Sequence, residues 1–314
     1  MGGFMLENEN SITNQLGAEF GSGLRATSAY SDTEHMLRQD GLTDTVLNRT
    51  PPVGVNLQIL AGMDVMTELR RAIQTPIAAT IVGLANIDGI EDFQKFTQSA
   101  LATDWSTLQV IDIDPEIISQ IAPTAQLLGI NNIVAMLRDA RHTGITRNSQ
   151  DLVLRDHTGN CCPPAIDCSI NREVASILKP GGISIVNITT SEILPSSTGR
   201  KIVPHRELEE SVGRDCIEAL QTRVYDLAQL KGEFGDQLEQ TRGALLEIEM
   251  PGSFVIFGED PDGHGEWFSP LKDHLQRWEY DGFEVLEMKT REGDDSHVPP
   301  LRCRRHNIVM RKVV

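Results

Sequence analysis

A chain of 314 residues that is 39% apolar can form one large α/β domain with additions, or two small domains, around an ample packed core. Its formal charge of −17 repels phosphate backbones, and no Lys/Arg cluster is long enough to offset that, so nucleic acid is not an expected partner. No apolar run approaches the ~20 residues of a membrane span, the N-terminus lacks signal-peptide order, and five irregularly spaced cysteines describe no disulfide framework, so the expected setting is cytoplasmic, with no membrane partner.

Residues 1–75 read as an N-terminal extension and a cap helix. Met1 to Arg49 is polar with weak periodicity, with one or two short helices expected between Ser31 and Leu47, and Pro51-Pro52 closes it. Asn56 to Ile73 places Leu57, Leu60, Ala61, Val65 and Leu69 at helical spacing, with Arg70-Arg71 near the end. Residues 76–188 alternate strand-like and helix-like stretches, the pattern of a parallel sheet with crossovers. The expected strands are Ala78 to Leu84, Leu108 to Ile113, Ile133 to Leu137, Asp151 to Leu154 and Ile183 to Ile188. A helix is expected over Glu91 to Leu101. Asp114 caps another, with Pro115 at its first position and Pro123 predicting a kink or an early break. Val174, Ile177 and Leu178 end a helix, Lys179 suits its carbonyl end, and Pro180, Gly181 and Gly182 turn the chain into the fifth strand.

Residues 189–266 are more than a connection needs and read as a mostly helical insertion. Glu207 to Leu230 has one apolar stripe, Gln237 to Leu246 continues as a second helix, and Ser253 to Phe257 is an extra strand before the turn-rich Glu259 to Gly265. Such a segment serves as a substrate lid or as the arm of a homodimer, the lid being favoured, with hinges expected near Gly199 and Gly235. In residues 267–314, Ser269 caps a helix with Pro270 at its first position. Phe283 to Met288 and Asn307 to Val313 then pair as an antiparallel hairpin with a long polar loop.

Ligands of open α/β sheets bind beyond the carboxyl ends of the strands, where Gly83 to Gly89, Asp112, Asp139-Ala140 and Asp156-His157 stand. With Val-Ile-Asp-Ile-Asp-Pro-Glu around Asp112, Asp139-Ala140 after the third strand, Asp151-Leu152-Val153, and Leu178 to Gly182 as Leu-Lys-Pro-Gly-Gly, the chain resembles the class I S-adenosylmethionine-dependent methyltransferases. The resemblance covers Ala78 to Ile188 and resumes over Trp267 to Val314. It implies a Rossmann-like sheet with a reversed last strand, S-adenosyl-L-methionine as cofactor, and methylation of a small-molecule acceptor at oxygen or nitrogen. It also implies that Asp112, with Ile113 beside it, holds the ribose hydroxyls, that Asp139 and Ala140 lie at the adenine, and that Asp156 borders the cofactor. The family's glycine-rich turn is degenerate here. Gly83 is matched, Ala85 stands in a glycine slot, no acid precedes the turn, and Asn86 or Asp88 is expected to meet the amino-acid end of the cofactor.

Gly83, Ala85 and a later acid also form a degraded dinucleotide fingerprint, so a NAD(P)-dependent oxidoreductase is the rival enzyme, and a non-catalytic methyltransferase-like binding or regulatory protein the rival outside enzymes. The Leu-Lys-Pro-Gly-Gly turn and the C-terminal hairpin favour the methyltransferase. His157, directly after the fourth strand, is the candidate general base and acceptor-facing residue, and His264 in a glycine-flanked turn is a second substrate-side candidate. Cys161, Cys162 and Cys168 lack metal-site spacing and are expected to line or pack the pocket, and no metal is expected.

Overall fold

The structure, a computed structural model, describes residues 57–313 except 58, 74–75, 84–88, 157, 193–199, 223–231, 235–237, 239–240, 242, 249–251, 258–264 and 295–301. Its frame is a seven-stranded sheet. The parallel strands are β1 (Ile77–Val82), β2 (Trp105–Asp112), β3 (Ile133–Leu137), β4 (Gln150–Asp156) and β5 (Leu178–Thr190). Near the C-terminus β10 (Phe283–Asp294) and β11 (Arg302–Lys312) form a hairpin, and β11 lies antiparallel against β5. The order is β10-β11-β5-β4-β1-β2-β3, so the chain reverses direction across the sheet between β1 and β4.

Both faces are covered, which is why the strands read as near-continuous apolar runs. On one face Ile77, Ala79, Ile81, Leu152, Leu154, Ile183 and Ile185 pack under α1 (Val65–Ala72), α2 (Gly89–Ala100) and α3 (Pro115–Leu127). On the other, Val82, Val153, Val186, Ile188 and Ile308 pack under α4 (Pro164–Ile177) and α7 (Leu271–Tyr280). Arg70 of α1 closes the C-terminal end of α2, its Nε donating to the Ala100 carbonyl at 3.0 Å and its Nη2 to that of Ser99 at 2.7 Å. The first N–H of α1, that of Val65, is taken at 2.8 Å by the Glu287 carboxylate of β10. These bonds fix α1 against α2 and β10.

Asp114 caps α3 as expected, accepting from the Glu116 N–H at 2.7 Å, but Pro123 does not break that helix. Ile121 and Ala125 are buried on either side of it and hold both turns, while Pro123 itself is exposed. The Pro-Gly-Gly turn is a bulge inside β5: between paired positions β4 advances from Gln150 to Leu152 while β5 advances from Leu178 to Ile183. Gly182 is required there, since a Cβ would stand 2.9 Å from the Lys179 carbonyl oxygen. Lys179 does not close the helix end but pairs with Asp151 at 2.7 Å.

The insertion is a folded unit with a sheet that periodicity does not show. Strands β6 (Ile202–Val203), β7 (Leu245–Glu247), β8 (Phe254–Phe257) and β9 (Gly265–Phe268) lie in that order. The helix expected from Glu207 is two helices, α5 (His205–Val212) and α6 (Arg214–Thr222), because Gly213 at φ 84° stops the first. The helix expected to reach Leu246 gives way to β7, where Leu245 and Leu246 enter different apolar clusters on opposite faces. The boundary expected between residues 266 and 267 falls inside β9. Helix α7 begins at Leu271 rather than at Pro270, and its first N–H is held by Glu192 rather than by Ser269. Among the described residues no helix is long and apolar enough to cross a membrane.

Beneath β4 lies a buried polar network. Arg155 donates to Asp167 at 2.5 Å and to Asn171, both on α4, and Trp278 of α7 donates to Asn171 at 3.3 Å. His274 Nδ1 faces Arg277 Nη2 at 2.9 Å and the Asp167 carboxylate at 3.7 Å. Burial would raise the Asp167 pKa, but Arg155, His274 and Arg277 hold it below the usual carboxylate value. Burial pushes His274 down to about 4 against the pull of Asp167, so the ring is neutral at pH 7. In the unfolded chain the same ring takes its proton near pH ~6.5. Between these values the unfolded state binds more protons, so this part of the stability is complete above pH ~6.5 and is lost as pH falls toward about 4, by up to ~1.4 kcal/mol per unit. In urea unfolding, His274→Gln should remove that slope while keeping an acceptor for Arg277. An equal wild-type-to-variant difference at pH 7 and pH 4.5 would contradict the assignment.

Candidate functional site

Five parallel strands end on one edge, and their register brings together the residues expected there. Val82 pairs with Ile111 and with Arg155, Asp112 with Leu137, and Asp156 with Asn187, so Gly83, Asp112, Ile113, Asp139, Ala140 and Asp156 all follow or close strands on that edge. Ala85, Asn86, His157 and His264 lie outside the described residues, as do Gly199 and Gly235.

The Asp112 carboxylate is half-buried and is oriented by the Asp114 N–H, which donates to its Oδ1 at 2.8 Å. Asp139 is engaged by its own neighbour. Arg141 donates to it from the backbone at 2.8 Å and through a fork of Nε at 2.9 Å and Nη2 at 2.5 Å, so its charge is largely spent within the loop. Ala140 packs against the apolar cluster under α4. Gly83 has φ 74°, and a Cβ there would stand 2.7 Å from Thr158 Oγ1, which donates to the Val82 carbonyl at 2.8 Å. This glycine therefore admits the side chain of Thr158, a close approach from within the chain itself.

Asp156 is buried and accepts from Asn187 Nδ2 at 2.6 Å. Asn187 lies opposite Asn307 of β11, and two residues further along the same face Thr189 lies opposite Arg305, itself opposite Arg291 of β10. Burial and the adjacent Arg305 lower the Arg291 pKa, with Asp156 opposing. Cys161 is reached by solvent, yet dense protein surrounds it. Desolvation, then the carboxylates of Glu266, Asp112 and Asp156, push its thiol up to about 12, so it stays protonated and is no nucleophile at neutral pH. Those three carboxylates thus share one electrostatic neighbourhood.

Asn160 ties the insertion to this edge. Its Nδ2 donates to the carbonyls of Thr189 and Trp267, both at 2.8 Å, and its Oδ1 accepts from the Thr189 N–H at 2.8 Å, which joins β5 to β9 beside Glu266. Cys162 is buried in the apolar cluster and Cys168 meets Arg277 at 3.7 Å, both packing roles. No group of three or more metal-binding side chains gathers among the described residues. Sequence reasoning did not single out Asn187, Asn307, Arg291, Arg305 or Glu266, which the strands place near this edge. The available signal was polar residues at alternate positions where the apolar runs of β5 and β11 end.

No protein-family model matches the chain, and no curated protein matches it in sequence. Among solved structures it is similar to a SAM-dependent methyltransferase from Methanosarcina mazei, with a TM-score of 0.50 and 15% identity over 80% of this chain and 98% of that one. A protein from Pyrococcus horikoshii aligns with a TM-score of 0.49 and 12% identity over 85% and 95%. At such identities the likeness is one of fold, and that fold, seven strands with the last reversed beside the fifth, is the class I methyltransferase fold.

Proposed function

We propose that the chain transfers a methyl group from S-adenosylmethionine to a small-molecule acceptor. The observation that carries this is Asp112, an oriented carboxylate closing β2 on the ligand edge of a methyltransferase sheet, within the electrostatic neighbourhood of Asp156. A carboxylate at that place accepts hydrogen bonds and gives none, which suits a pair of ribose hydroxyls. Elsewhere the fit is partial, because Asp139 is held by Arg141 and the space at Gly83 belongs to Thr158. A dinucleotide is disfavoured by the sequence itself, because Ala85 stands where the fingerprint needs a glycine for the backbone to approach the pyrophosphate.

When bound, the cofactor supplies a methyl group already activated on a sulfonium. What remains for the chain is to align the acceptor, exclude water and remove a proton. Asp112 holds, and the edge around Asp156, Cys161 and Glu266 forms the acceptor side, closed over by the insertion that Asn160 fastens to β5. We assign proton removal to His157 from its place in the sequence, between Asp156 and Thr158.

Calorimetry with S-adenosylhomocysteine and NAD side by side tests the cofactor. Asp112→Ala should weaken S-adenosylhomocysteine by ~1.5–3 kcal/mol per lost charge-assisted bond at most, leaving the thermal transition in place. Binding of NAD in preference, or an unchanged affinity in the variant, overturns the assignment, and binding of neither ligand points to a non-catalytic protein. His157→Asn should lower turnover by ~10²–10⁴ with S-adenosylhomocysteine affinity nearly intact, and full activity would leave His157 a structural role.

A further inference from the structure

The polar end of the sheet face under α1 narrows the acceptor, an inference that rests on the methyltransferase reading. We infer that the acceptor is a small aminocarboxylate, its ammonium group held by Asp156 and the side-chain oxygens of Asn187 and Asn307, and its carboxylate by Arg291 and Arg305.

Register builds the first half of this site. Asp156 pairs with Asn187 across β4 and β5, and Asn187 pairs with Asn307 across β5 and β11. One step back along the same face stand Leu154, Ile185 and Val309, members of the main apolar core, so the polar row begins where that core stops. Asn187 is 2% exposed and Asn307 1%. Donation from Asn187 Nδ2 to Asp156 fixes which way that amide points, and among the described residues Asn187 Oδ1 and Asn307 Oδ1 both lack a hydrogen-bond partner. A buried acceptor left unmade is costly, and folded chains rarely keep two on adjacent residues. Directly opposed side chains stand with Cβ atoms ~4.5–5.5 Å apart, close enough for a single group with several N–H bonds to serve both oxygens. An ammonium group carries three such donors, whereas a hydroxyl carries one. The carboxylates of Asp112 and Glu266, which act on Cys161 together with Asp156, favour a cation over a neutral donor.

The second half follows from period 2. Two residues outward, Thr189, Arg305 and Arg291 lie in register across β5, β11 and β10, ~7 Å further along the strands. Arg305 and Arg291 are paired across adjacent strands, where a carboxylate lying between them offsets their mutual repulsion. Each has five donors, so an existing partner does not exhaust either, and the fork matches a carboxylate. Acceptors inside and guanidinium donors outside, at this spacing, match a molecule of amino-acid size.

The test uses the full chain with S-adenosylhomocysteine saturating, since the cofactor carries an aminocarboxylate of its own whose place must be filled first. The twenty common α-amino acids are titrated by calorimetry, and the tightest binder is compared with its N-acetyl and methyl-ester derivatives. At least one amino acid should bind, and either derivative should bind ~10-fold more weakly or worse, as expected for a lost charged hydrogen bond. Asn307→Leu keeps the volume and removes an orphaned acceptor. It should lose amino-acid affinity by a similar factor, leave S-adenosylhomocysteine affinity unchanged, and melt at the wild-type temperature or above. Should that variant not fold, Asn307→Asp retains the oxygen and should retain binding. The proposal is overturned if S-adenosylhomocysteine binds and no amino acid does, if the N-acetyl form binds as well as its parent, or if Asn307→Asp abolishes binding in a folded protein. It is equally overturned if Asn307→Leu lowers the melting temperature without a selective loss of amino-acid affinity. Failure of S-adenosylhomocysteine to bind would count against the methyltransferase reading instead, and titration without it would then judge the amino-acid site alone.

Discussion

Arg155 and Asp156 are adjacent in β4, and strand alternation sends their side chains to opposite faces of the sheet. Arg155, 1% exposed, is the centre of the network that ties β4 to α4 and α7. Such a buried charge is tolerated because Asp167 pairs with its Nη2 and Asn171 accepts from its Nη1, and removal of either partner weakens that hold. Asp156 on the other face meets Asn187 and the row that leads across β5 to β11. The position of the Asp156 carboxylate therefore depends on a charge pair on the opposite face of the sheet. A shift of β4 moves both residues at once.

Much of the frame was legible in the sequence. Both faces of a parallel sheet are buried, so β1, β2, β3 and β5 carry apolar runs too continuous for loops and too short for long helices. Asp114-Pro115 and Pro180-Gly181-Gly182 punctuate them for local reasons that hold in any context. Within the insertion the same logic misleads. Leu245 and Leu246 satisfy a helical stripe as readily as a strand that feeds two clusters, and only pairing with β8 decides between them. Pro123 fails to break its helix for a related reason, because flanking burial outweighs one lost backbone bond.

The site was legible in its positions and less so in its contacts. Strand ends follow from topology, which is why Asp112, Asp139 and Asp156 stand on one edge. Spacing does not reveal that Arg141 engages Asp139 or that Thr158 fills the space at Gly83, because both depend on loop conformation after the strand. Asn187, Asn307, Arg305 and Arg291 come from three strands distant in sequence, and only register aligns them. A pairing of this kind leaves no local trace beyond polar residues at the end of an apolar run.

The proposed place of S-adenosylmethionine is the carboxyl edge at Asp112. A crystal structure of the full chain grown with S-adenosylhomocysteine tests it most directly. Ligand density is expected over the ends of β1 and β2, with the ribose hydroxyls on the Asp112 carboxylate and the sulfur facing the edge around Asp156 and Cys161. Density at any other place, or an Asp112 carboxylate that makes no contact with the ligand at saturation, would contradict it.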